Sequence, residues 1–291
     1  MHIVHTNNEG GTVKILVIGA GTMGAGIAQV AAQAGYTVYL RDIDMKFVEK
    51  GLAGIEKSYA KQVEKGKIQA ADKDAAMKRI TPCVDLAVGK DADVVIEAAV
   101  EDLAIKKKIF AELDSVVQPK AILATNTSSL SITAVAAVTK RPEMVIGMHF
   151  FNPVPMMALV EIICGQATSD ATRATVTELA QKLGKTPVTV HEAPGFAVNR
   201  MLVPMINEAA FLLTEGVATA EDIDTAMKLG ANHPMGPLAL GDLIGLDVCV
   251  AIMDVLHSEF GDSKYRAAPI MRKLVRAGYL GRKTGQGFFK Y

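Results

Sequence analysis

Short apolar runs alternate with longer amphipathic stretches from Lys14 to His191. The short runs predict strands, and apolar positions repeated every three or four residues predict helices between them. Almost wholly apolar strands separated by helices are typical of a parallel sheet covered on both faces. We therefore predict an α/β fold with a Rossmann-type, doubly wound, mostly parallel sheet. The predicted strands begin at Lys14 and continue with Thr37–Asp42, Val94–Ala99, Ala121–Ser128, Met144–Phe151, Ala158–Cys164 and Thr186–His191.

The amphipathic stretches predict two helices between Met45 and about Arg79, with a break near Gly66. Further helices are predicted at Leu103–Val116, from about Ser131, and at Thr172–Leu183.

After Ala193-Pro194-Gly195 the helical pattern continues without strands, which predicts a separate all-α domain. We expect a flexible leader at 1–12, a dinucleotide-binding domain at 13–192 and a helical domain at 193–291. This last domain is expected to contact substrate and to form a homodimer or a higher homo-oligomer. Its predicted helices are Phe196–Thr214, with a kink at Pro204, then Ala220–Lys228, Leu246–Phe260 and Pro269–Ala277.

A glycine-rich turn follows the first predicted strand. Gly19, Gly21 and Gly24 form G-x-G-x-x-G, in which the glycines permit a tight turn, close approach of a pyrophosphate, and close packing of helix on strand. The next strand ends at Asp42, near the spacing expected of an acid that binds the adenosine ribose. Strand, turn, helix, strand and acid together predict a dinucleotide site.

Polar residues also follow the later strands. Ligands of open α/β sheets bind beyond the carboxyl ends of the strands. We therefore expect Glu97, Glu101 and residues 126–129 to line the cofactor cleft.

Composition narrows the possible partners. Lys plus Arg and Asp plus Glu each number 31, so no overall charge favours nucleic acid or an anionic membrane. The three cysteines lack metal-site spacing and suit a reducing compartment. With no signal-peptide pattern and no long apolar run, we expect a cytoplasmic protein without a membrane or metal requirement.

His149 and Glu161 are the leading candidates for proton transfer. They lie in apolar runs on either side of a proline-rich turn, so the two side chains meet if the runs pair. A histidine titrates near neutrality, and a carboxylate beside it orients the ring and stabilises its charged form. Ser128 and Asn199 are candidate hydrogen-bond donors to a reacting oxygen. Each of the four residues also has an ordinary structural interpretation.

Lys57, Lys61 and Lys65 recur every four residues and therefore share one helical face. They form either a solvated surface stripe or a site for a multiply phosphorylated substrate group.

Beyond these patterns, most of the chain resembles the 3-hydroxyacyl-CoA dehydrogenase family. The resemblance rests on motifs distributed from the glycine turn to the C-terminal segment. These motifs are GAGTMGAGIAQ (19–29), NTSSL (126–130), HFFNPVP (149–155), LVE (159–161), PGFAVNR (194–200), DTAMKLG (224–230), HPMGP (233–237) and GRKTGQGF (281–288).

That resemblance implies a hydride transfer between a nicotinamide and C3 of acetoacetyl-CoA or its 3-hydroxy form. His149 matches the catalytic histidine and Glu161 its paired carboxylate. Ser128 and Asn199 match the residues that hydrogen-bond the 3-oxygen. Ser58 and Lys65 match coenzyme A contacts. The implied cofactor residues are Gly19, Gly21, Thr22, Met23, Gly24, Asp42, Glu101, Lys106, Asn126, Ser128 and Asn152.

Two details of specificity follow from individual residues. Asp42 would repel a 2′-phosphate and favours NAD, whereas Arg41 could offset that repulsion and admit NADP. Many relatives carry a basic residue just before LVE, but this chain has Met157-Ala158 there. The resemblance to the family favours a substrate with a short acyl chain. The alternatives are a longer-chain acyl-CoA substrate, a free 3-hydroxyacid, and a non-catalytic nicotinamide-binding protein.

Overall fold

The computed structural model describes residues 13–291 of the chain, so the predicted leader at 1–12 lies outside the described residues. The described chain divides into two compact units, with the division between Glu192 and Ala193.

The first unit is built on one sheet of eight strands in the order β3-β2-β1-β4-β5-β6-β7-β8. All neighbouring pairs are parallel except β6 and β7, which are antiparallel. This arrangement confirms the predicted mostly parallel, doubly wound sheet. The strands are β1 (Lys14–Ile18), β2 (Thr37–Arg41), β3 (Ile80–Cys83), β4 (Val94–Glu97), β5 (Ile122–Thr125), β6 (Val145–Phe150), β7 (Leu159–Cys164) and β8 (Thr186–His191).

The order of the strands reverses at β1. The chain passes outward through β2 and β3, then returns to place β4 on the other side of β1. Cofactors of doubly wound sheets bind beyond the carboxyl ends of the strands at such a point. β1, β4 and β5 are almost completely buried, as expected for strands covered on both faces.

Between residues 13 and 192, six α-helices flank the sheet. Several begin at a side-chain cap: Asp44, Asp102, Ser131 and Ser169 each accept a backbone N–H of the first turn. The helices are α1 (Thr22–Gln33), α2 (Met45–Glu64), α3 (Ala70–Lys78), α4 (Leu103–Val116), α5 (Ile132–Ala136) and α6 (Asp170–Lys182).

The second unit is helical and has its own apolar core. Asp242 organises its C-terminal segment, because its carboxylate accepts hydrogen bonds from the backbone N–H groups of Phe288 and Phe289 and from the Tyr291 hydroxyl. The helices are α7 (Val198–Thr214), α8 (Ala220–Gly230), α9 (Pro237–Ile244), α10 (Leu246–Phe260) and α11 (Pro269–Arg276).

Among the strands and α-helices of the described residues, β3 and α9 do not appear in the sequence prediction. β3 is a four-residue edge strand that contains Pro82, and proline within a short run argues against a strand. Helix α9 starts at Pro237, in a segment whose glycine and prolines favour a loop. Proline is nevertheless well suited to the first turn of a helix, and the Asp224 carboxylate accepts the N–H groups of Leu238 and Ala239 there.

None of the helices found within residues 13–291 is both long enough and apolar enough to cross a lipid bilayer.

Candidate active site

The glycine turn has the geometry that its sequence predicts. Gly19 has φ +96°, and a Cβ there would lie 2.5 Å from the carbonyl oxygen of Ala98. A Cβ on Gly24 would lie 1.8 Å from the carbonyl oxygen of Gly19. By contrast, a Cβ on Gly21 would meet open space. The first and third glycines are therefore required by packing, whereas the second opens the turn to a ligand.

Helix α1 begins directly after Gly21, and no side chain caps its N-terminus. Backbone N–H groups at such an end attract phosphate, and Thr22 stands in the first turn. The side chain of Met23 is half-buried and packs against the apolar core, while its backbone N–H belongs to the same first turn.

Asp42 stands at the end of β2, beside the glycine turn. Its carboxylate accepts the N–H of Ala20 at 2.7 Å and that of Ile43 at 2.7 Å. Arg41 turns away to a different partner, since its Nε donates to the carbonyl oxygen of Val84 at 3.0 Å. The acid is therefore held in place at the position expected to receive a ribose hydroxyl.

A cavity of about 540 Å³ extends from this acid across the glycine turn. Its walls are formed by residues of α1 and α2 and by the segment that follows β6. The open space at Gly21, the uncapped helix end and the fixed carboxylate suit the phosphates and ribose of NAD. The lining residues are Ala20, Gly21, Thr22, Ala25, Gly26, Gln29, Asp42, Phe47, Lys50, Gly51, Gly54, Ile55, Ser58 and Asn152–Met156.

The two predicted coenzyme A contacts lie at different places on α2. Ser58 lines the cavity, and its Oγ accepts a hydrogen bond from Gln29 Nε2 at 2.9 Å. Lys65 is the exposed residue directly after the last residue of the helix, and it does not line the cavity. Lys57 and Lys61 are exposed as well, as their shared helical face predicts.

A buried ion cluster lies at the carboxyl end of β4. Glu97 is completely buried, and its carboxylate accepts bonds from Lys106 Nζ at 2.7 Å, Thr125 Oγ1 at 2.6 Å and Ala99 N at 2.7 Å. The expectation that Glu97 lines the cleft is therefore wrong, because these three donors hold it beneath the surface. The side chain of Lys106 is only 1% exposed.

Glu101 connects this cluster to Ser128. One carboxylate oxygen of Glu101 lies 3.5 Å from Lys106 Nζ. The other accepts Thr127 Oγ1 at 2.6 Å, Ser128 N at 2.8 Å and Ser128 Oγ at 3.0 Å. The turn after β5, with the candidate donor Ser128, is thereby fixed to the turn after β4.

His149 and Glu161 meet across β6 and β7. The antiparallel register places them directly opposite each other, and His149 Nδ1 lies 2.7 Å from Glu161 Oε2. The histidine is 6% exposed and the glutamate 1%. This contact confirms that the two apolar runs pair as expected. With its proton on Nδ1, the ring donates a hydrogen bond to this carboxylate, and Nε2 is then the acceptor nitrogen of the ring.

Two asparagines frame the segment after β6. Asn126 accepts the backbone N–H of Phe150 through Oδ1 at 2.8 Å, which ties the end of β5 to the end of β6. Asn152 is exposed in the wall of the cavity, and the peptide bond between it and Pro153 is cis.

Asn199 belongs to the second unit, where it is half-buried in the first turn of α7. Its assignment to the 3-oxygen stays a prediction.

The cysteines are buried, in agreement with a packing role. Burial raises the pKa of the Cys83 and Cys164 thiols, and that of Cys249 to about 12. None of the three is therefore a thiolate nucleophile at neutral pH.

Sequence reasoning missed several residues of the cavity wall. Phe47 and Lys50 face it from the first turns of α2, and Met156 faces it from the other side. A signal for the wall itself is present in Gly51 and Gly54, whose three-residue spacing puts two residues without side chains on one helical face.

Comparisons with known proteins follow the same two units. Residues 14–193 match the model of the 3-hydroxyacyl-CoA dehydrogenase NAD binding domain, and residues 195–291 match that of the C-terminal domain. The chain is 56% identical to 3-hydroxybutyryl-CoA dehydrogenase of Clostridioides difficile, over 96% of this chain and 99% of that protein. It is 54% identical to a probable 3-hydroxybutyryl-CoA dehydrogenase of Bacillus subtilis, over 96% and 97%.

A solved structure is similarly close. The crystal structure of (S)-3-hydroxybutyryl-CoA dehydrogenase from Ralstonia eutropha superposes with a TM-score of 0.94 at 52% identity. The match covers 97% of this chain and 99% of the other.

Proposed function

Because the chain belongs to the 3-hydroxyacyl-CoA dehydrogenase family, we propose that it is an NAD-dependent 3-hydroxybutyryl-CoA dehydrogenase. It interconverts 3-hydroxybutyryl-CoA and acetoacetyl-CoA by hydride transfer at C3. The observation that carries this proposal is the His149–Glu161 pair, joined at 2.7 Å at the carboxyl end of β6. When bound, NAD supplies the hydride chemistry, and the protein supplies proton transfer, orientation and a binding cleft.

His149 acts as general base and acid in this proposal. It accepts the proton of the 3-hydroxyl group in the oxidative direction and returns it to the forming alkoxide in the reductive direction. Glu161 accepts a hydrogen bond from Nδ1–H, fixes the tautomer and orientation of the ring, and stabilises the imidazolium.

Ser128 and Asn199 donate hydrogen bonds to the 3-oxygen in this scheme. Ser128 directs its hydroxyl proton at Glu101 in the structure. A serine has a single hydroxyl proton, so donation to the substrate requires the hydroxyl to rotate away from that carboxylate. Glu101 then has the role of holding the backbone of the Ser128 turn, which it also bonds at the Ser128 N–H.

The other binding groups are assigned partly by their place in the cavity wall and partly by resemblance to the family. The glycine turn and Thr22 take the pyrophosphate, and Asp42 takes the adenosine ribose. Glu101, Asn152 and Asn126 border the nicotinamide half, while buried Lys106 acts on it through Glu101. Ser58 and Lys65 contact coenzyme A.

Substrate assays separate this proposal from its alternatives. Purified protein mixed with NADH and acetoacetyl-CoA should oxidise NADH faster than a His149→Ala control, whereas a non-catalytic nicotinamide-binding protein would show no difference. A free 3-hydroxyacid dehydrogenase would oxidise 3-hydroxybutyrate as fast as its CoA thioester. An acyl series from four carbons upward tests chain length, and a faster longer homologue would refute the short-chain assignment.

We also propose that the protein is a homodimer or a larger homo-oligomer through its helical unit. Several large apolar side chains of that unit are exposed, and the cores of homodimer interfaces are rich in apolar side chains. They include Met201, Val217, Leu229 and Leu243. Sedimentation of the purified protein tests this, and a monomer at micromolar concentration would refute it.

We propose a cytoplasmic location because of the state of the cysteine residues. The three cysteines are unpaired thiols, as is usual in a reducing compartment. Cell fractionation followed by the acetoacetyl-CoA assay tests this location, and activity outside the cytoplasmic fraction would refute it.

A further inference from the structure

Lys185 is a buried lysine that no part of the proposed reaction uses. It is only 8% exposed and lies between α6 and β8, on the side of the sheet edge where β8 begins. Its ammonium group donates to the carbonyl oxygens of Val154 and Met157, the latter at 2.9 Å.

Within residues 13–291, no carboxylate forms an ion pair with Lys185. Burial lowers the pKa of its ammonium group, since desolvation disfavours the charged form. Buried cations are normally paired with an anion, because burial of a lone charge is costly. Burial of Lys185 against carbonyl groups alone is therefore expected to contribute little to the free energy of unfolding.

The two carbonyl groups belong to the segment that walls the cavity. Residues 153–157 form a tight turn in which the N–H groups of Met156 and Met157 both donate to the carbonyl oxygen of Pro153. Asn152–Met156 line the cavity opposite α1 and α2. The carbonyl groups of Val154 and Met157 accept hydrogen bonds from Lys185, which does not line the cavity.

The front of the segment packs on α1. Val154 is buried, and a Cβ added to Gly26 would lie 2.8 Å from Val154 Cβ. The segment is therefore fixed between the backbone of α1 and the ammonium group of Lys185. Without the hydrogen bonds from Lys185, only the packing of Val154 on α1 and the flanking residues of the chain would hold the turn in place.

We propose that Lys185 is a positioning residue that sets the width of the ligand cavity by fixing the 153–157 turn through the carbonyl oxygens of Val154 and Met157. The consequence for the reaction rests on the function proposed above, but the effect on the turn does not. Ala158, which follows the turn, is exposed and uncharged. The positive charge that contacts the turn is that of Lys185, directly before β8.

The test is hydrogen exchange of the Lys185→Met variant. Lys185→Met keeps an unbranched side chain but removes the donors, so the Met156 and Met157 amides should exchange roughly fivefold or more faster. The 140–145 segment, which closes its own turn by a bond from Met144 N to Arg141 O, should be unaffected. Lys182→Met removes an exposed lysine three residues earlier and is the matched control.

Ligand affinity is the second readout. In Lys185→Met the NADH dissociation constant and the KM for acetoacetyl-CoA should rise roughly fivefold or more, with kcat changed far less, because His149 and Glu161 stand on paired strands. Lys185→Arg, which keeps the charge and the donors, should recover part of the affinity. The NADH titration by fluorescence needs no turnover, so it stays informative even if acetoacetyl-CoA is not the substrate.

Three results would overturn the proposal. One is unchanged exchange at 156 and 157 together with unchanged NADH affinity in Lys185→Met. Another is equal acceleration at 140–145, which would show a general loss of stability. The third is the same response in Lys182→Met. If Lys185→Met does not fold, Lys185→Leu, which also removes the donors, replaces it with the same readouts and the same outcomes.

Discussion

Two buried lysines in the first unit are stabilised in different ways. Lys106 lies between two carboxylates, with Glu97 at 2.7 Å and Glu101 at 3.5 Å. Lys185 has only the carbonyl oxygens of Val154 and Met157. The first lysine balances charge inside the fold, whereas the second uses a costly charge to hold a surface turn. Their burial is similar, and the groups around them indicate what each one does.

This difference separates effects on stability from effects on binding. Removal of Lys106 leaves the completely buried carboxylate of Glu97 without its cation. Removal of Lys185 leaves two carbonyl groups without a donor but also removes a desolvated charge, so the two terms oppose each other. We therefore expect the first change to act mainly on folding and the second mainly on the cavity.

The largest effect is expected for Lys106→Met. Loss of one partner of a buried ion pair costs about 3–5 kcal/mol of unfolding free energy. Urea denaturation measures it, with Lys108→Met as a control on the exposed side of the same helix. The added change Glu97→Gln should recover part of the loss by removing the orphaned charge. If Lys106→Met lost less unfolding free energy than Lys185→Met, the proposed difference between the two lysines would be contradicted.

A smaller loss of stability is expected for Lys185→Met. Each carbonyl group left without a partner costs about 1–3 kcal/mol, but the turn can open to water and the desolvated ammonium is gone. The net change measured by the same urea denaturation should be less than half of that for Lys106→Met. An equal loss would make Lys185 a structural residue.

The smallest effect is a dependence of stability on pH. Burial lowers the pKa of Lys185 in the folded state below 10.5, its value in the unfolded chain. Between these two values the unfolded state binds more protons, so the unfolding free energy rises with pH. We expect the wild-type protein to gain stability relative to Lys185→Met as pH approaches 10.5. Parallel urea midpoints of the two proteins across this range would contradict the lowered pKa.

Much of this architecture could be predicted because its signals are local. The α4 and α10 helices and the β8 strand occupy the predicted residues, and β6 and β7 pair around the proline-rich turn. The His149–Glu161 contact followed from that pairing, since two residues near a tight turn have few other arrangements.

The remaining features depend on distant contacts. Lys185 follows Gly184 at the end of a helix, where a lysine ordinarily lies in solvent, and its partners are about thirty residues earlier in the chain. Glu97 ends an apolar strand, so its type suggests a cleft residue, but burial was decided by Lys106 and Thr125 from other elements. Neither set of contacts produces a repeating pattern of apolar and polar residues, so neither could be predicted from the sequence.

The most direct test of the proposed chemistry is the steady-state turnover of His149→Asn with NADH and acetoacetyl-CoA. General acid–base catalysis contributes roughly 10²- to 10⁴-fold, so kcat should fall by about that factor. The NADH dissociation constant should stay unchanged, because Asp42 and the glycine turn are untouched. Unchanged kcat in His149→Asn would remove this histidine from the reaction.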